Sequence, residues 1–244
     1  MITVTNIQVY NFENAIIGMR NPMNSWDKSD SILCKSKDFE DCTSNCDSCP
    51  RKDEEFNDDI FCIGKNDLDL MQRLIHAGSP HDKFMRQILC SMQITAPLYY
   101  WKEFDTYKVA TVANSTSTMH KIHSKPVETD DFSFDLPVLP SEEDFIKIKN
   151  MQWEIGAFLE WLRERYIDTK DSISKDNPYW RTMIQTLPDG YNQMRMWTGN
   201  YATLREIYKW RKQHKLQEWR IFCDMLLDGS LFPYGKELIA YELD

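Results

Sequence analysis

The sequence lacks any apolar run of about 18 residues, the length that a helix needs to cross a bilayer. Its first residues, Met1 to Asn6, also lack the charged-then-apolar pattern of a signal peptide. It has no internal repeat and no low-complexity tract, which excludes a solenoid or a fibrous chain. We therefore expect a globular, cytoplasmic protein without a membrane partner.

Basic residues are also in deficit, because 29 Lys and Arg stand against 38 Asp and Glu and give a formal charge of −9. Binding a polyanion requires a basic surface that neutralises phosphates, so the composition argues against nucleic acid as a partner. A small anion held by a few well-placed arginines is compatible with this charge.

Apolar residues, in contrast, are plentiful: 42% of the 244 residues are hydrophobic and 13% are aromatic. That is enough to bury a substantial core without disulfides or a metal ion. We expect a single domain over residues 1–244, with a polar, cysteine-containing insertion at about residues 30–62.

The spacing of apolar residues and helix-capping signals predicts one strand and several helices, whereas residues 84–95 fit either type of element. The predicted strand covers residues 2–10 and the predicted helices cover 67–77, 98–109, 142–166, 178–187, 201–213 and 216–228. The first helix is expected to be capped by Asn66, and the long one by Ser141 with Asp144 three residues later. Residues 125–140, with three prolines, are expected to form a connector.

The insertion contains a cluster of cysteines: Cys34, Cys42, Cys46 and Cys49, with Cys62 farther on. Four thiolates in this short stretch can surround a tetrahedral zinc ion, and Cys46-x-x-Cys49 has the spacing of a structural half-site. The alternatives are reduced surface thiols or a redox pair. If zinc is bound, we expect it to hold the insertion together rather than to take part in catalysis.

Two segments resemble the flavin-dependent thymidylate synthases. The first runs from Ile94 through Ala96-Pro97 to Asp105 and resembles the approach to that family's signature motif. Thr106-Tyr107-Lys108 then stands where the family has Arg-His-Arg, and 114–120 resembles the second half of the signature if one residue is inserted.

The second segment begins at Leu187-Pro188 and continues to Gln217-Glu218-Trp219. Asn200 lies 12 positions after Pro188 and Arg211 a further 11 positions on, in agreement with the family's spacing. The chain thus resembles a divergent member of the family, of the phage or prophage type.

This resemblance implies an α/β fold with a central mixed sheet flanked by long helices, assembled as a homotetramer. It implies reductive methylation, or a related C5 modification, of a deoxyuridine monophosphate, with FAD as cofactor and NADPH and methylenetetrahydrofolate as co-substrates. The alternative is a catalytically inactive regulator of the same fold that binds a nucleotide or a protein.

The resemblance also assigns residues to ligands, although it identifies no catalytic residue. Those assigned to the nucleotide are Lys108, Asn114, Ser115, Ser117 and Arg211. Those assigned to the flavin are Arg86, Gln87, Tyr107 and Asn200. Several of them have a purely structural alternative: Arg211 also suits a helix C-terminus, Asn200 a helix N-cap, 114–118 a turn or helix cap, and Tyr107 a core or interface position.

Overall fold

The computed structural model describes residues 2–34, 60–134, 141–173 and 175–243. Helices and strands are interspersed along the whole of this part of the chain. The strands are β1 (Thr3–Tyr10), β2 (Ile32–Cys34), β3 (Ile60–Cys62), β4 (Leu89–Pro97), β5 (Val112–Ser115) and β6 (Asn192–Asn200). The helices are α1 (Phe12–Arg20), α2 (Lys65–Ala77), α3 (Leu98–Phe104), α4 (Glu142–Thr169), α5 (Pro178–Thr186), α6 (Tyr201–Arg211) and α7 (Gln217–Met225).

Four strands form one sheet in the order β1-β4-β6-β5, and β2 pairs with β3 in a separate antiparallel sheet. Helix α4, with 28 residues, is the longest helix that the structure describes. The predicted α/β fold, with a central sheet and long helices, is therefore confirmed. Across the described ranges, no helix is both long and apolar enough to cross a membrane.

The chain divides into two compact units. Unit 1 comprises Met1–Val4, Gln93–Thr106 and Ala113–Met196, and unit 2 comprises Thr5–Met92, Tyr107–Val112 and Trp197–Asp244. The single domain expected from the sequence stays a prediction.

The core of unit 1 is formed by α4, α5 and the segment between β5 and α4. Its buried members are Ile122, Phe132, Leu159, Leu162 and Met183. The apolar residues of α4 are only partly buried: Phe145 and Phe158 remain 43% and 45% exposed. The buried residues of this helix, Leu159 and Leu162, lie in its C-terminal half.

The core of unit 2 is rich in aromatic residues. Phe12 packs edge-on against Tyr201 and Tyr234, with ring centroids 5.8 and 5.9 Å away. The Tyr234 hydroxyl also accepts a 2.7 Å hydrogen bond from the backbone N–H of Ile63. This bond connects the end of β3 to the C-terminal part of the chain.

A buried ion pair lies beside that core. Arg20 Nε donates to Asp67 Oδ1 over 2.6 Å, and the two side chains are 4% and 0% exposed. Burial acts to raise the pKa of Asp67, but hydrogen bonds from Ser31, Ser29 and Arg20, together with the charge of Arg20, outweigh it, so the net pKa lies below the usual value. The carboxylate is therefore ionised and structural.

Two helix boundaries differ from the prediction for identifiable reasons, and one ambiguous stretch is resolved. Helix α2 is capped from elsewhere: the backbone N–H groups of Asn66 and Asp67 donate to the Asp30 carboxylate, so Asn66 lies inside the helix. Helix α3 ends at Phe104 because Thr106 turns back to the Glu103 carbonyl through both its N–H and its hydroxyl. The ambiguous stretch 84–95 divides into a 3-10 helix at His81–Arg86 and strand β4, whose burial alternates with period two.

Candidate functional site

The most elaborate arrangement around a predicted ligand residue lies in unit 2, at the end of α6. Arg211 Nε donates a 3.0 Å hydrogen bond to the Tyr107 hydroxyl. The guanidinium carbon lies 4.9 Å from the Trp219 ring centroid and 5.7 Å from that of Tyr107. The two rings meet edge-on at 6.2 Å. The hydrogen bond to Tyr107 and the two aromatic rings thus help to orient Arg211.

Basic residues are concentrated around this arginine. The segment from the last turn of α6 to the start of α7 contains Lys209, Arg211, Lys212, His214 and Lys215, and Lys108 adjoins Tyr107. Some of these cations are engaged internally, because Lys212 Nζ donates to the Leu243 carbonyl and Lys209 lies over the Trp210 ring. Even so, the local excess of positive charge contrasts with the net charge of −9 of the whole chain. An anion would be attracted here.

The cysteine near this arginine is not a nucleophile. Burial raises the pKa of Cys223 to about 12, and Asp224 acts in the same direction, while Arg211 and Lys212 only partly oppose them. The thiol is neutral and 1% exposed. Any chemistry at this site must rely on other groups.

Asn200 is the N-cap residue of α6, as predicted. Its Oδ1 accepts the Thr203 N–H at 3.0 Å, and the side chain is 3% exposed. The structural alternative for Asn200 is therefore confirmed, and burial leaves little of the side chain accessible to a flavin. The contact with flavin stays a prediction.

Arg86 and Gln87 lie in unit 2 at the end of the 3-10 helix, and both are exposed. The Gln87 carbonyl accepts a hydrogen bond from the Asn11 side chain, which fixes the backbone at this position. Among the described residues, nothing forms an ion pair with Arg86. Both side chains are accessible to a ligand.

The predicted nucleotide-binding residues Asn114, Ser115 and Ser117 lie in unit 1. Asn114 and Ser115 are exposed at the end of β5. Ser117 Oγ accepts the backbone N–H groups of Met119 and His120, at 3.3 and 2.9 Å, and so stabilises a turn. The turn therefore begins at Ser117, and the prediction of a turn over 114–118 is wrong for Asn114 and Ser115, which belong to β5. The role of these residues in ligand binding stays a prediction.

Two other arginines, Arg195 and Arg205, are engaged within the fold. Arg195 donates to Asp105 at 2.8 Å and lies 4.2 Å from the Trp101 ring centroid. Arg205 donates to three backbone carbonyls near the C-terminus, those of Leu238, Ile239 and Tyr241. Arg20, in its buried ion pair, likewise serves the fold.

The predicted metal set is only partly within the described residues. Cys34 Sγ lies 3.4 Å from Cys62 Sγ, whereas Cys42, Cys46 and Cys49 lie outside the described residues. In the part of the chain that the structure describes, no three His, Cys, Asp or Glu side chains are grouped as metal ligands. Zinc binding by the original four cysteines stays a prediction.

Sequence reasoning missed Trp219 as part of the site and Cys62 as the neighbour of Cys34. Trp219 ends the Gln217-Glu218-Trp219 segment that resembles the family, but the resemblance gave it no role. For Cys62 the available signal was the pairing of two short strands that flank the insertion, and neither strand was predicted.

The fold defined by these elements is that of the flavin-dependent thymidylate synthases. Two solved structures of thymidylate synthase X (ThyX) from Helicobacter pylori, both with FAD and dUMP, share it. One superposes with a TM-score of 0.60 at 15% identity and covers 100% of this chain and 99% of the other. The second gives a TM-score of 0.58 at 16% identity, with 98% of each chain covered. The sequence matches no family model and no curated protein, so the likeness lies in the fold.

Proposed function

We propose that this chain is a thymidylate synthase-like flavoprotein that binds a deoxyuridine monophosphate and modifies its C5 position. The observation that carries the proposal is the position of Arg211, held by Tyr107 and Trp219 at the basic end of α6. The full-length similarity to structures that contain FAD and dUMP supports the same ligands here.

Arg211 suits a phosphate for chemical reasons. A phosphate monoester is a dianion at neutral pH, and a guanidinium can donate two parallel hydrogen bonds to it. The negative end of the α6 dipole opposes anion binding with about half an elementary charge. Arg211 and Lys108 together contribute two positive charges, so the net field favours the anion.

The residues near β4 fit a flavin in part. Arg86 is an exposed cation suited to a pyrophosphate, and Gln87 offers an exposed amide beside it. Bound flavin would supply hydride, and a folate would supply the one-carbon unit. Within unit 2, Lys108 and Arg211 would bind the phosphate of the nucleotide. Asn114, Ser115 and Ser117 of unit 1 are proposed as nucleotide contacts on the family resemblance alone. NADPH and methylenetetrahydrofolate are proposed as co-substrates on the family resemblance alone.

The second candidate is a regulator that binds the nucleotide without flavin. It is favoured by Asn200, whose side chain is 3% exposed and whose oxygen caps α6. It is also favoured by Thr106-Tyr107-Lys108, which replaces two arginines and a histidine of the family signature.

A homotetramer is part of the proposal. Its support is the exposed apolar surface of α4, where Met151 and Trp153 are 57% and 73% exposed. Burial of such a surface between copies of the chain would stabilise an oligomer. Light scattering coupled to size-exclusion chromatography measures the assembled mass.

The experiment is an absorbance titration of the purified chain with FAD, followed by dUMP. Stoichiometric flavin binding, with bands that shift when dUMP is added, supports the enzyme, and release of tritium from C5-labelled dUMP would then test turnover. Binding of dUMP without flavin supports the regulator. Failure to bind either ligand contradicts both.

A further inference from the structure

One side of α4 carries large apolar side chains that do not belong to the core of unit 1. The helix contributes Leu159 and Leu162 to that core. Its outer stripe contains Ile146, Trp153 and Ile167, whose spacings of 7 and 14 residues place them on one side of a helix. These three side chains are 50%, 73% and 38% exposed, and Trp161 beside the stripe is 47% exposed.

The exposed area is large enough for a stable contact between proteins. A large apolar side chain has about 150–250 Å² of surface, so these four exposures leave roughly 400 Å² of apolar area. A standard interface takes about 800 Å² from each partner, and rather more than half of it is apolar. The outer stripe of α4 therefore has the size of one side of an interface.

The middle of the outer stripe is formed by two small residues, Gly156 and Ala157. Glycine is less favourable than alanine inside a helix, because it loses more backbone entropy. Within the described ranges no packing requires this glycine, since a Cβ on Gly156 would meet no atom within 4 Å. Small residues at a contact allow two helices to approach closely. The position therefore suits a helix from another chain.

The residues along the outer stripe match a second copy of the same helix that runs in the opposite direction. If two copies cross at Gly156-Ala157, Ile146 of one copy lies opposite Ile167 of the other, because both are ten residues from the crossing. Lys149 lies opposite Glu164 for the same reason, since each is seven residues from the crossing. All four of these side chains are exposed. Each contact occurs twice, because both copies use the same surface.

The ends of the two helices match in the same way. Glu143, in the first turn of one copy, lies opposite Lys170, the C-cap residue of the other. The helix dipoles are then antiparallel, so that the positive end of each lies beside the negative end of its neighbour. A parallel pair would instead place Lys149 beside Lys149 and Glu164 beside Glu164. The charge pattern therefore favours the antiparallel direction.

We propose that two copies of the chain associate through antiparallel α4 helices that cross at Gly156-Ala157. This inference rests on the homo-oligomer proposed above and adds the surface, the direction and the register of the contact. Trp153 of each copy packs over the small residues of the other, and two Lys149–Glu164 ion pairs border the crossing. Such a closed pair accounts for one of the interfaces of a homotetramer.

Zero-length crosslinking of the wild type tests the register without any substitution. A carbodiimide joins a lysine directly to a carboxylate that it touches. Within one chain, Lys149 and Glu164 are 15 residues apart on a single helix, which is about 22 Å, so a crosslink between them must join two copies. The expected result is a Lys149–Glu164 crosslinked peptide from the wild type. Crosslinked dimers that lack this peptide overturn the register.

Charge reversal tests the same contact by sedimentation, which gives the dissociation constant and the assembled mass. Lys149→Glu and Glu164→Lys should each weaken association at least tenfold, because each places like charges opposite one another twice. The double variant restores opposite charges and should associate within threefold of the wild type. Lys147→Glu is the matched control, since it makes the same charge change on another side of the helix, and it should also stay within threefold. Far-UV circular dichroism checks that each variant keeps its helices.

The outcomes separate this proposal from the others. A wild type that stays monomeric up to its highest soluble concentration overturns both the α4 pair and the homotetramer. An oligomer that neither single charge reversal weakens overturns the α4 pair alone, and so does a double variant that fails to recover. FAD and dUMP binding are measured in separate titrations, so their outcome does not decide this one.

Discussion

Replacing Asp67 by Asn should be one of the most damaging single-atom changes in this chain. Oδ2 of Asp67 accepts from Ser29, from the Asp30 N–H, and from both the N–H and the hydroxyl of Ser31, while Oδ1 accepts from Arg20. An asparagine must direct its NH2 group at one of these two sets of donors. In either orientation donors face donors, and the Arg20 guanidinium loses its counter-charge inside the protein.

Breaking a buried ion pair from one side costs about 3–5 kcal/mol. We expect Asp67→Asn to lower the free energy of unfolding by about that amount, measured by urea titration with tryptophan fluorescence. The matched control is Asp69→Asn on the same helix, whose carboxylate is 65% exposed and pairs with Arg73. An exposed pair of this type contributes about 0.3–0.5 kcal/mol.

The double variant Arg20→Met/Asp67→Leu distinguishes the cost of losing the ion pair from the cost of leaving one buried charge unpaired. Because it leaves no unpaired charge, we expect it to be less destabilised than the sum of its two single variants. If Asp67→Asn is no more destabilising than Asp69→Asn, the structural role assigned to Arg20 and Asp67 is wrong.

Three further predictions concern stability and reactivity. The pKa of Asp67 is lowered in the folded state from the ordinary value of 3.8. The stabilisation by this carboxylate is therefore present above that pH and is lost as the pH falls through the lower folded pKa. The difference in unfolding free energy between wild type and Asp67→Asn should be constant from about pH 5 to pH 7 and should shrink below about pH 4. Gly235→Ala should destabilise by roughly 3 kcal/mol, because a Cβ there would lie 1.9 Å from the Leu226 carbonyl oxygen; thermal melting measures this, and an unchanged midpoint refutes the contact. Burial raises the pKa of Cys90 and of Cys223 to about 12, so neither should react with a thiol reagent at pH 8 until the chain is unfolded; peptide mapping of rapid labelling in the native protein would disprove this.

Sequence patterns predicted the features that depend on neighbouring residues. Ser141, Asn177 and Asn200 cap their helices through bonds to N–H groups two or three positions ahead, and the sequence contains all that this requires. The spacing of Asn200 and Arg211 likewise placed both at opposite ends of one helix.

Features that depend on distant partners could not be predicted in this way. Strand β6 was missed because it contains Gln193 and Arg195, whose polar groups are accommodated by Thr116 and Asp105 from elsewhere in unit 1. The cap of α2 comes from Asp30, 36 residues before Asn66. The partner of Arg20 is Asp67, 47 residues farther along the chain.

The same distinction applies to the candidate site. The resemblance located Tyr107 and Arg211 separately, while their hydrogen bond and the packing of Trp219 beside them depend on the fold. No pattern in the sequence distinguishes Arg195, which forms an ion pair with Asp105, from Arg211, which packs beside two aromatic rings.

The most direct test of the central claim compares the affinity of the chain for dUMP with its affinity for deoxyuridine, by calorimetry, in wild type, Arg211→Ala and Arg211→Lys. Arg73→Ala serves as an exposed arginine control in unit 2. If Arg211 holds the phosphate, its removal should weaken dUMP binding by about 10- to 150-fold, the equivalent of one charged hydrogen-bonded contact, and leave deoxyuridine binding unchanged. Lysine should restore only part of the loss, because it provides charge without the planar pair of donors. Equal losses for dUMP and deoxyuridine, or no loss with Arg211→Ala, would contradict the account.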